Sequence, residues 1–352
     1  MRRNILVIGA GAVGGVTAAR LAQKNIDVDL LVKYPELKKI AKNRGLEVKG
    51  YHGTFNRKVN AFLPSDLLSE TFDIVLIATK ATQMREAAMH ILPFIEKDSL
   101  VVSMQNGIVQ DELAGIVGEH RTAGCIVGWG ATMVEPGTYD MTSGGIHIIG
   151  SFGSIPDERI LKLKNILENI APVYVSGNIY GDLYSKLIIN SCISALGAIS
   201  GLRLGKMLKM KTMRQLFYQI IEEAVEVANA MDLKIEPYNN KINYYKFIEP
   251  GIIAAARRHL ITRVIGYKYR RIKSSSLQSI ERGKKTEIDY FNGFIVRKAR
   301  EHNIEAPLNL KIVRMIKEIE QGKRKIGLHN LEDILSERLL DRPGMSKMQK
   351  TI

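Results

Sequence analysis

The feature that most constrains the fold is a run of glycines at one particular place. Asn4 to Ile8 is a short apolar run, Gly9-Ala10-Gly11-Ala12-Val13-Gly14 follows at once, and Val16 to Ala22 then carries helical texture. A G-x-G-x-x-G pattern is weak alone, but between a strand and a helix it points to a dinucleotide-binding turn. There Gly9 permits the tight turn, Gly11 lets the backbone approach a pyrophosphate, and Gly14 lets the helix pack on the strand. The stretch Gly9, Ala10, Gly11, Ala12, Val13 and Gly14 is therefore the candidate phosphate cradle, with the N–H groups of the helix start facing the anion. The competing reading is a glycine-rich turn with no ligand.

The rest of the first half repeats the alternation. Val28 to Val32, Phe72 to Ala78 and Leu100 to Met104 read as buried strands, and Thr122 to Val127 as one more. Helical stretches stand at Glu36 to Asn43 and Glu158 to Asn169, and Gly137 to Phe152 reads as a hairpin region. Such alternation specifies a parallel, doubly wound sheet covered on both faces, an α/β Rossmann domain over 1–177. After Ser176-Gly177-Asn178 the strand signals stop. Asp182 to Ile199, Lys206 to Met231, Gly251 to Val264, Thr286 to His302 and Asn309 to Gln321 carry helical periodicity, so 178–321 is expected to be an all-α domain. The polar, basic stretch 322–352 is expected to be a loosely attached arm.

Composition narrows the class. A chain of 352 residues, 45% hydrophobic and 25% charged, has room for two ordinary domains and is not a disordered one. Two cysteines, Cys125 and Cys192, make neither a disulfide framework nor a four-ligand zinc site, and suit a reducing cytoplasm. Met1-Arg2-Arg3 before an apolar run has the outline of a signal peptide, but the glycines break the run and a buried strand explains the same letters better. Leu187 to Ile199 holds Asn190, Ser191 and Ser194 and reads as a buried helix, so no membrane span is expected.

The end of the second strand selects the cofactor. An acidic residue about 20 positions after the last glycine would hold a ribose 2′-hydroxyl. Lys33 stands there instead, and a cation attracts a 2′-phosphate, so NADPH is expected over NADH. Asp29, inside the strand, is the rival, and a solvated loop lysine the plain reading. Thr79-Lys80 ends the third strand and Gln105-Asn106-Gly107 the fourth. Ligands of open parallel sheets lie outside the carboxyl ends of the strands, so Lys80 and Asn106 face the expected crevice. Their plain readings are a solvated charge and an Asn-Gly turn.

Several separated motifs, in this order, resemble one family, the ketopantoate reductases (2-dehydropantoate 2-reductases). They are Gly9-x-Gly11-x-x-Gly14, Ala78-Thr79-Lys80-Ala81, Gln105-Asn106-Gly107, Ser185-Lys186-Leu187-x-x-Asn190, Ser274-Ser275-Ser276-Leu277-Gln278 and Lys285-Thr286-Glu287-Ile288-Asp289, with Gly293 in the same frame. The resemblance runs from the glycine turn to Gln321. It implies a Rossmann domain and a helical domain with the site between them, NADPH as hydride donor and a 2-oxo acid as acceptor. It implies Lys186 as catalytic lysine and Asn190 as a substrate contact. Lys80, Asn106 and Ala131 match cofactor-side positions, and Asn106 a substrate-side one as well. Glu287 matches a catalytic glutamate that also faces the nicotinamide end of the cofactor, Ser275 a serine near the substrate carboxylate, and Ser194 a further substrate-side position.

The chemistry agrees with those roles. Hydride addition to a ketone builds negative charge on oxygen, which an ammonium can meet with a hydrogen bond and then a proton. A lysine is a poor acid at its ordinary pKa of about 10.4; burial and a cation such as Lys80 lower that value, and a carboxylate such as Glu287 raises it. Lys186 and Asn190 are spaced i, i+4 and share a helix face. The plain readings are an exposed lysine, an interior asparagine, a helix salt bridge for Glu287 to Lys284 or Arg282, and an N-cap for Ser274 to Ser276.

The sequence also departs from the family pattern. Ser194 stands where a second asparagine is expected on the catalytic helix, Ile272 replaces another asparagine, and Ser279 replaces an aspartate. These changes fall on the substrate side, so another 2-oxo acid, or a non-catalytic NADPH-sensing binding protein, are the rival readings. No metal is expected.

Lys plus Arg number 51 against 36 Asp plus Glu, a net charge of +15. Arg257, Arg258, Arg263, Lys268, Arg270, Arg271 and Lys273 crowd one stretch, with Tyr267 and Tyr269 between them. A solvated face, a cap over an anionic ligand and a nucleic-acid patch are the three readings. No nucleic-acid fold signature accompanies it, so the expected partner is a small 2-oxo acid. A homodimer is left open.

Overall fold

The apolar runs at Asn4 to Ile8, Phe72 to Ala78 and Leu100 to Met104 form neighbouring strands of one parallel sheet. The computed structural model describes residues 2–66, 70–151, 158–238 and 241–340. In chain order the strands are β1 (Arg2–Ile8), β2 (Asp29–Leu31), β3 (Leu46–Gly50), β4 (Phe55–Arg57), β5 (Asn60–Phe62), β6 (Thr71–Ile77), β7 (Ile95–Ser103), β8 (Thr122–Val127), β9 (Gly130–Glu135), β10 (Thr138–Ser143), β11 (His147–Ser151) and β12 (Val173–Val175). Eight of them form a sheet in the order β12-β11-β8-β7-β6-β1-β2-β5. The strands from β8 to β5 are parallel; β11 joins β8 antiparallel and pairs β12 in parallel. Leu6, Val7, Leu76, Ile77, Val101 and Val102 are fully buried, as continuous apolar strands covered on both faces require. The chain steps from β1 to β2 on one side and later returns to β6 on the other, so the strand order reverses beside β1. That reversal opens the crevice in which doubly wound sheets bind ligands.

Helices α1 (Ala12–Gln23), α2 (Pro35–Lys39), α3 (Met84–Ile91), α4 (Gln110–Val117) and α5 (Glu158–Leu167) connect the strands. The segment 137–152 is not the expected hairpin. The hairpin joins β9 to β10 through Pro136-Gly137, where Gly137 takes the left-handed region at φ 77°, while β11 leaves for the large sheet. Gly145 is the point of departure: a Cβ there would meet the Gly128 carbonyl oxygen at 2.3 Å. Phe152 lies outside the described residues. A second sheet, β4-β3-β10-β9, was not legible in the sequence.

The second half is helical: α6 (Ile179–Ser200), α7 (Leu204–Lys209), α8 (Lys211–Ala230), α9 (Tyr244–Ile248), α10 (Ile252–Lys268), α11 (Ser275–Glu281), α12 (Asn292–Glu301), α13 (Pro307–Glu320) and α14 (His329–Leu340). The chain divides into units Met1–Lys186 and Leu187–Ile352, later than the boundary expected at 177. The change of texture at Gly177 marks the start of α6, and that helix runs unbroken through the division. α6 is long and apolar enough to cross a membrane by length and composition, yet 78% of its most apolar window is buried within the protein.

Buried polar groups tie the helical unit together. Glu223 on α8 accepts from the backbone N–H groups of Leu308 and Asn309, at 2.8 and 2.9 Å, and from Asn309 Nδ2 at 2.7 Å, capping the start of α13. Asn292 Nδ2 donates to Asn309 Oδ1 and to the Ser191 carbonyl on α6. The segment after Gly322 is not a loose arm as far as it is described. Arg324 pairs with Glu318 and Asp333, buried Asn330 donates to the Ile199 carbonyl, and Leu331 and Ile334 are buried. The apolar spacing of α14 was hidden by its basic flanks; residues 341–352 lie outside the description. Each unit holds one free, fully buried thiol, Cys125 in β8 and Cys192 in α6.

Candidate active site

The glycine turn sits at the carboxyl end of β1 and opens α1. Gly9 takes φ 99°, and a Cβ on it would meet Thr79 Cγ2 at 2.9 Å, so the turn lies against the end of β6. A Cβ on Gly14 would fall 1.9 Å from the Gly9 carbonyl oxygen, which fixes how closely α1 approaches β1. At Gly11 a Cβ would meet nothing within 4 Å. The backbone is thus crowded on the protein side at Gly9 and Gly14 and open at Gly11. Gly11 caps α1 without a side-chain hydrogen bond, and no acidic residue stands in the first turn. The N–H groups there and the positive dipole end suit a diphosphate.

Three contacts that sequence reasoning missed shape this edge. Tyr139 of β10 donates its buried hydroxyl to the Ala10 carbonyl at 3.0 Å, and its ring fills the space beside Gly15. Burial pushes the phenol well above its ordinary pKa. Gln105 Nε2 donates to Thr79 Oγ1 at 3.0 Å and to the Lys80 carbonyl at 2.9 Å, binding the ends of β6 and β7 together. Beyond β8, Trp129 Nε1 donates to His147 Nε2 at 2.9 Å, both residues being buried. Trp129 is the chain's one tryptophan, and that rarity was the one signal in the sequence that could have drawn attention to it.

Lys80 and Asn106 are half-buried just beyond β6 and β7, at the carboxyl edge that also carries the glycine turn. Ala131 is half-buried in β9. Lys33 is exposed, two residues beyond β2. Its rival Asp29 is 3% exposed and accepts from Asn60 Nδ2 of β5 at 2.7 Å, a structural bond inside the sheet.

Lys186 lies on α6, half-buried, and its Nζ donates to the Val127 carbonyl at 3.0 Å. Val127 ends β8, past Gly124, the last residue that registers with β7. Since β8, β7, β6 and β1 are parallel neighbours, this ammonium stands on the same sheet edge as the glycine turn. Three interstrand spacings, about 14 Å measured across the sheet, lie between the two strands. Its positive charge reaches inward. With burial as the larger cause, it holds His147 down at about 4. It opposes the burial that pushes Cys125 up to about 12.

The remaining candidates belong to the helical unit. Asn190, one turn after Lys186 on α6, has a buried Nδ2 with no hydrogen-bond partner among the described residues, a donor that suits an incoming acceptor. Ser194, one turn further, is 4% exposed, and its hydroxyl meets that of Ser275 at 3.3 Å. Ser274 caps α11, accepting from the Leu277 N–H at 3.1 Å, so the capping role in the serine run belongs to it and leaves Ser275 exposed. Glu287 is half-buried ahead of a short turn of 3-10 helix at Ile288–Tyr290. In the basic stretch the tyrosines are occupied by the chain itself: Arg270 stacks on Tyr267 at 5.1 Å and Lys268 on Tyr269 at 5.3 Å.

Residues 5–154 match the family described as Ketopantoate reductase PanE/ApbA, and residues 178–320 match Ketopantoate reductase PanE/ApbA C terminal. The 2-dehydropantoate 2-reductase of Pyrococcus abyssi is 30% identical, over 91% of this chain and 100% of its own length. The crystal structure of a PanE/ApbA family ketopantoate reductase from Ralstonia eutropha superposes with a TM-score of 0.77 at 28% identity, covering 92% of this chain and all of that one. A D-mandelate dehydrogenase bound to NADH and anilino(oxo)acetate has a TM-score of 0.76 at 21% identity, over 91% of this chain and 99% of its own, a likeness of fold. With both halves matched in order, and with the glycine turn and the α6 lysine set on one sheet edge, the chain is a member of the ketopantoate reductase family.

Proposed function

We propose that the protein reduces a 2-oxo acid to the 2-hydroxy acid with NADPH, ketopantoate to pantoate being the first substrate to test. The observation that carries this reading is the Lys186 ammonium, held by the Val127 carbonyl on the sheet edge that bears the glycine turn. When bound, the nicotinamide supplies the hydride. The chain's own groups do the rest. The Gly9 to Gly14 turn and the start of α1 hold the pyrophosphate, with Lys80, Asn106 and Ala131 as further cofactor-side residues. Lys33 attracts the 2′-phosphate. Lys186 donates a hydrogen bond to the ketone oxygen and passes it a proton as the carbon accepts the hydride, so that ketone, hydride and proton give the neutral alcohol. Asn190, on the same face of α6, offers its unpartnered amide to the same molecule. Glu287 and Ser275 are assigned by the family resemblance alone.

The relatives named 2-dehydropantoate 2-reductase support ketopantoate. One observation favours a different side chain on the acid: Ser194, already hydrogen-bonded to Ser275, presents a shorter group than the asparagine of the family pattern. A spectrophotometric panel of 2-oxo acids with NADPH and with NADH separates these readings. Turnover of ketopantoate with NADPH is expected, and Lys186→Ala should lower kcat by about 10²- to 10⁴-fold while cofactor binding survives. Tight NADPH binding with no turnover of any 2-oxo acid would leave the sensing protein as the better account.

A further inference from the structure

Lys186 takes part of its placement from the carbonyl to which it donates. A lysine side chain has four rotatable bonds, and its ammonium takes its direction from its acceptors. Val127 lies beyond the residues of β8 that register with β7, so the parallel ladder does not fix its carbonyl. The chain at and after Val127 is fixed from the other side. Gly128 N–H donates to the Ile146 carbonyl at 2.8 Å, and Val127 pairs with His147 in the β8–β11 register. Trp129, the next residue, donates its indole N–H to His147 Nε2 at 2.9 Å, with the rings edge-on and centroids 6.0 Å apart. His147 N–H in turn donates to the Pro172 carbonyl at 2.8 Å. The strand end is thus clamped at its own last residue and two residues beyond, both times to His147.

We infer that the Trp129–His147 pair is a positioning device for the reduction, setting the Val127 carbonyl and through it the direction and proton affinity of the Lys186 ammonium. The inference rests on the reading of Lys186 as the proton donor. The bond also fixes the imidazole. Nε2 accepts, so Nδ1 carries the proton and turns it toward the Ala171 backbone, whose hydrogen bonding partly offsets the effect of burial. A protonated imidazole would set an N–H against the indole N–H and add a second cation near Lys186. The Lys186 charge from α6 bears both on His147 and on the fully buried Cys125 thiol of β8. A neutral His147 therefore adds no second positive charge beside Lys186.

Trp129→Phe keeps a ring and removes the donor. It is expected to lower kcat about tenfold or more with little change in KM, because a small misplacement of a reacting group weighs on the chemical step. A carbonyl that accepts from an ammonium favours its charged form, so loosening it should also move the alkaline limb of the kcat profile to lower pH by roughly half a unit to one unit. His147→Gln, whose amide oxygen can replace Nε2, is expected to keep the wild-type limb, whereas His147→Leu should shift it as Trp129→Phe does. A titration of ε-13C-labelled lysine, with Lys186→Ala to assign the signal, reads the same shift without turnover. A folded Trp129→Phe protein with unaltered kcat, limb and Lys186 titration would overturn the inference. Should Trp129→Phe not fold, an unchanged Lys186 titration in His147→Leu would overturn it equally. Absence of turnover in the wild-type protein would instead count against the reductase reading, and the lysine titration would still decide the positioning role.

Discussion

At the scale of single residues, the site is governed by where charge is placed. Lys33 is the clearest case, because its neighbour in the argument, Asp29, is spent on Asn60 within the sheet. On the proposed reading, the exposed Lys33 just beyond β2 would meet a 2′-phosphate, and a carboxylate there would repel it. Lys33→Asp is expected to weaken NADPH binding roughly tenfold or more and to spare NADH, the size of one charge-assisted hydrogen bond. Calorimetry with both cofactors checks it, and unchanged NADPH affinity would free Lys33 of the role. The positions that were legible here were those fixed locally, such as the glycine turn between β1 and α1 or a lysine just after β2, and their roles are those proposed above. The Val127 carbonyl was not, because a backbone acceptor carries no letter. Nor was the His147–Trp129 bond, which joins residues brought together only by the antiparallel return of β11.

At the scale of elements, most strands and helices followed from periodicity, since inner parallel strands are apolar throughout and helices show their 3.6-residue rhythm. The second sheet escaped because β3, β4, β9 and β10 are short or partly exposed and carry no continuous apolar run. The segment after Gly322 was misread for a related reason: its polar residues are partners, not a solvated coat. Asn330 is fully buried, and Arg324 reaches both Glu318 and Asp333. The joint between α8 and α13 depends on one carboxylate. Glu223→Ala would strand two backbone N–H groups and the Asn309 amide in a buried setting, and should cost about 2–4 kcal/mol in urea or thermal unfolding. A loss below about 0.5 kcal/mol would mean that other groups cap α13.

At the scale of the whole molecule, acid should unfold the protein through His147 in particular. Its native pKa is held near 4, against 6.5 for an exposed histidine, mainly by burial and then by the Lys186 charge. Between those values the unfolded chain binds the proton and the native one does not, so the His147 contribution to stability is complete above pH 6.5 and is lost as pH drops toward 4. The loss from this group approaches about 3 kcal/mol, and His147→Gln should flatten the slope over that window. A wild-type stability that is level from pH 7 to 4 would contradict it. The two sealed sulfurs carry a different consequence. Cys125 belongs to the sheet unit and Cys192 to the helical unit, and each is wholly shut from solvent. A thiol-reactive dye can then stain either one only when its own unit opens, so mass-resolved labelling over time gives each half a separate clock for its breathing.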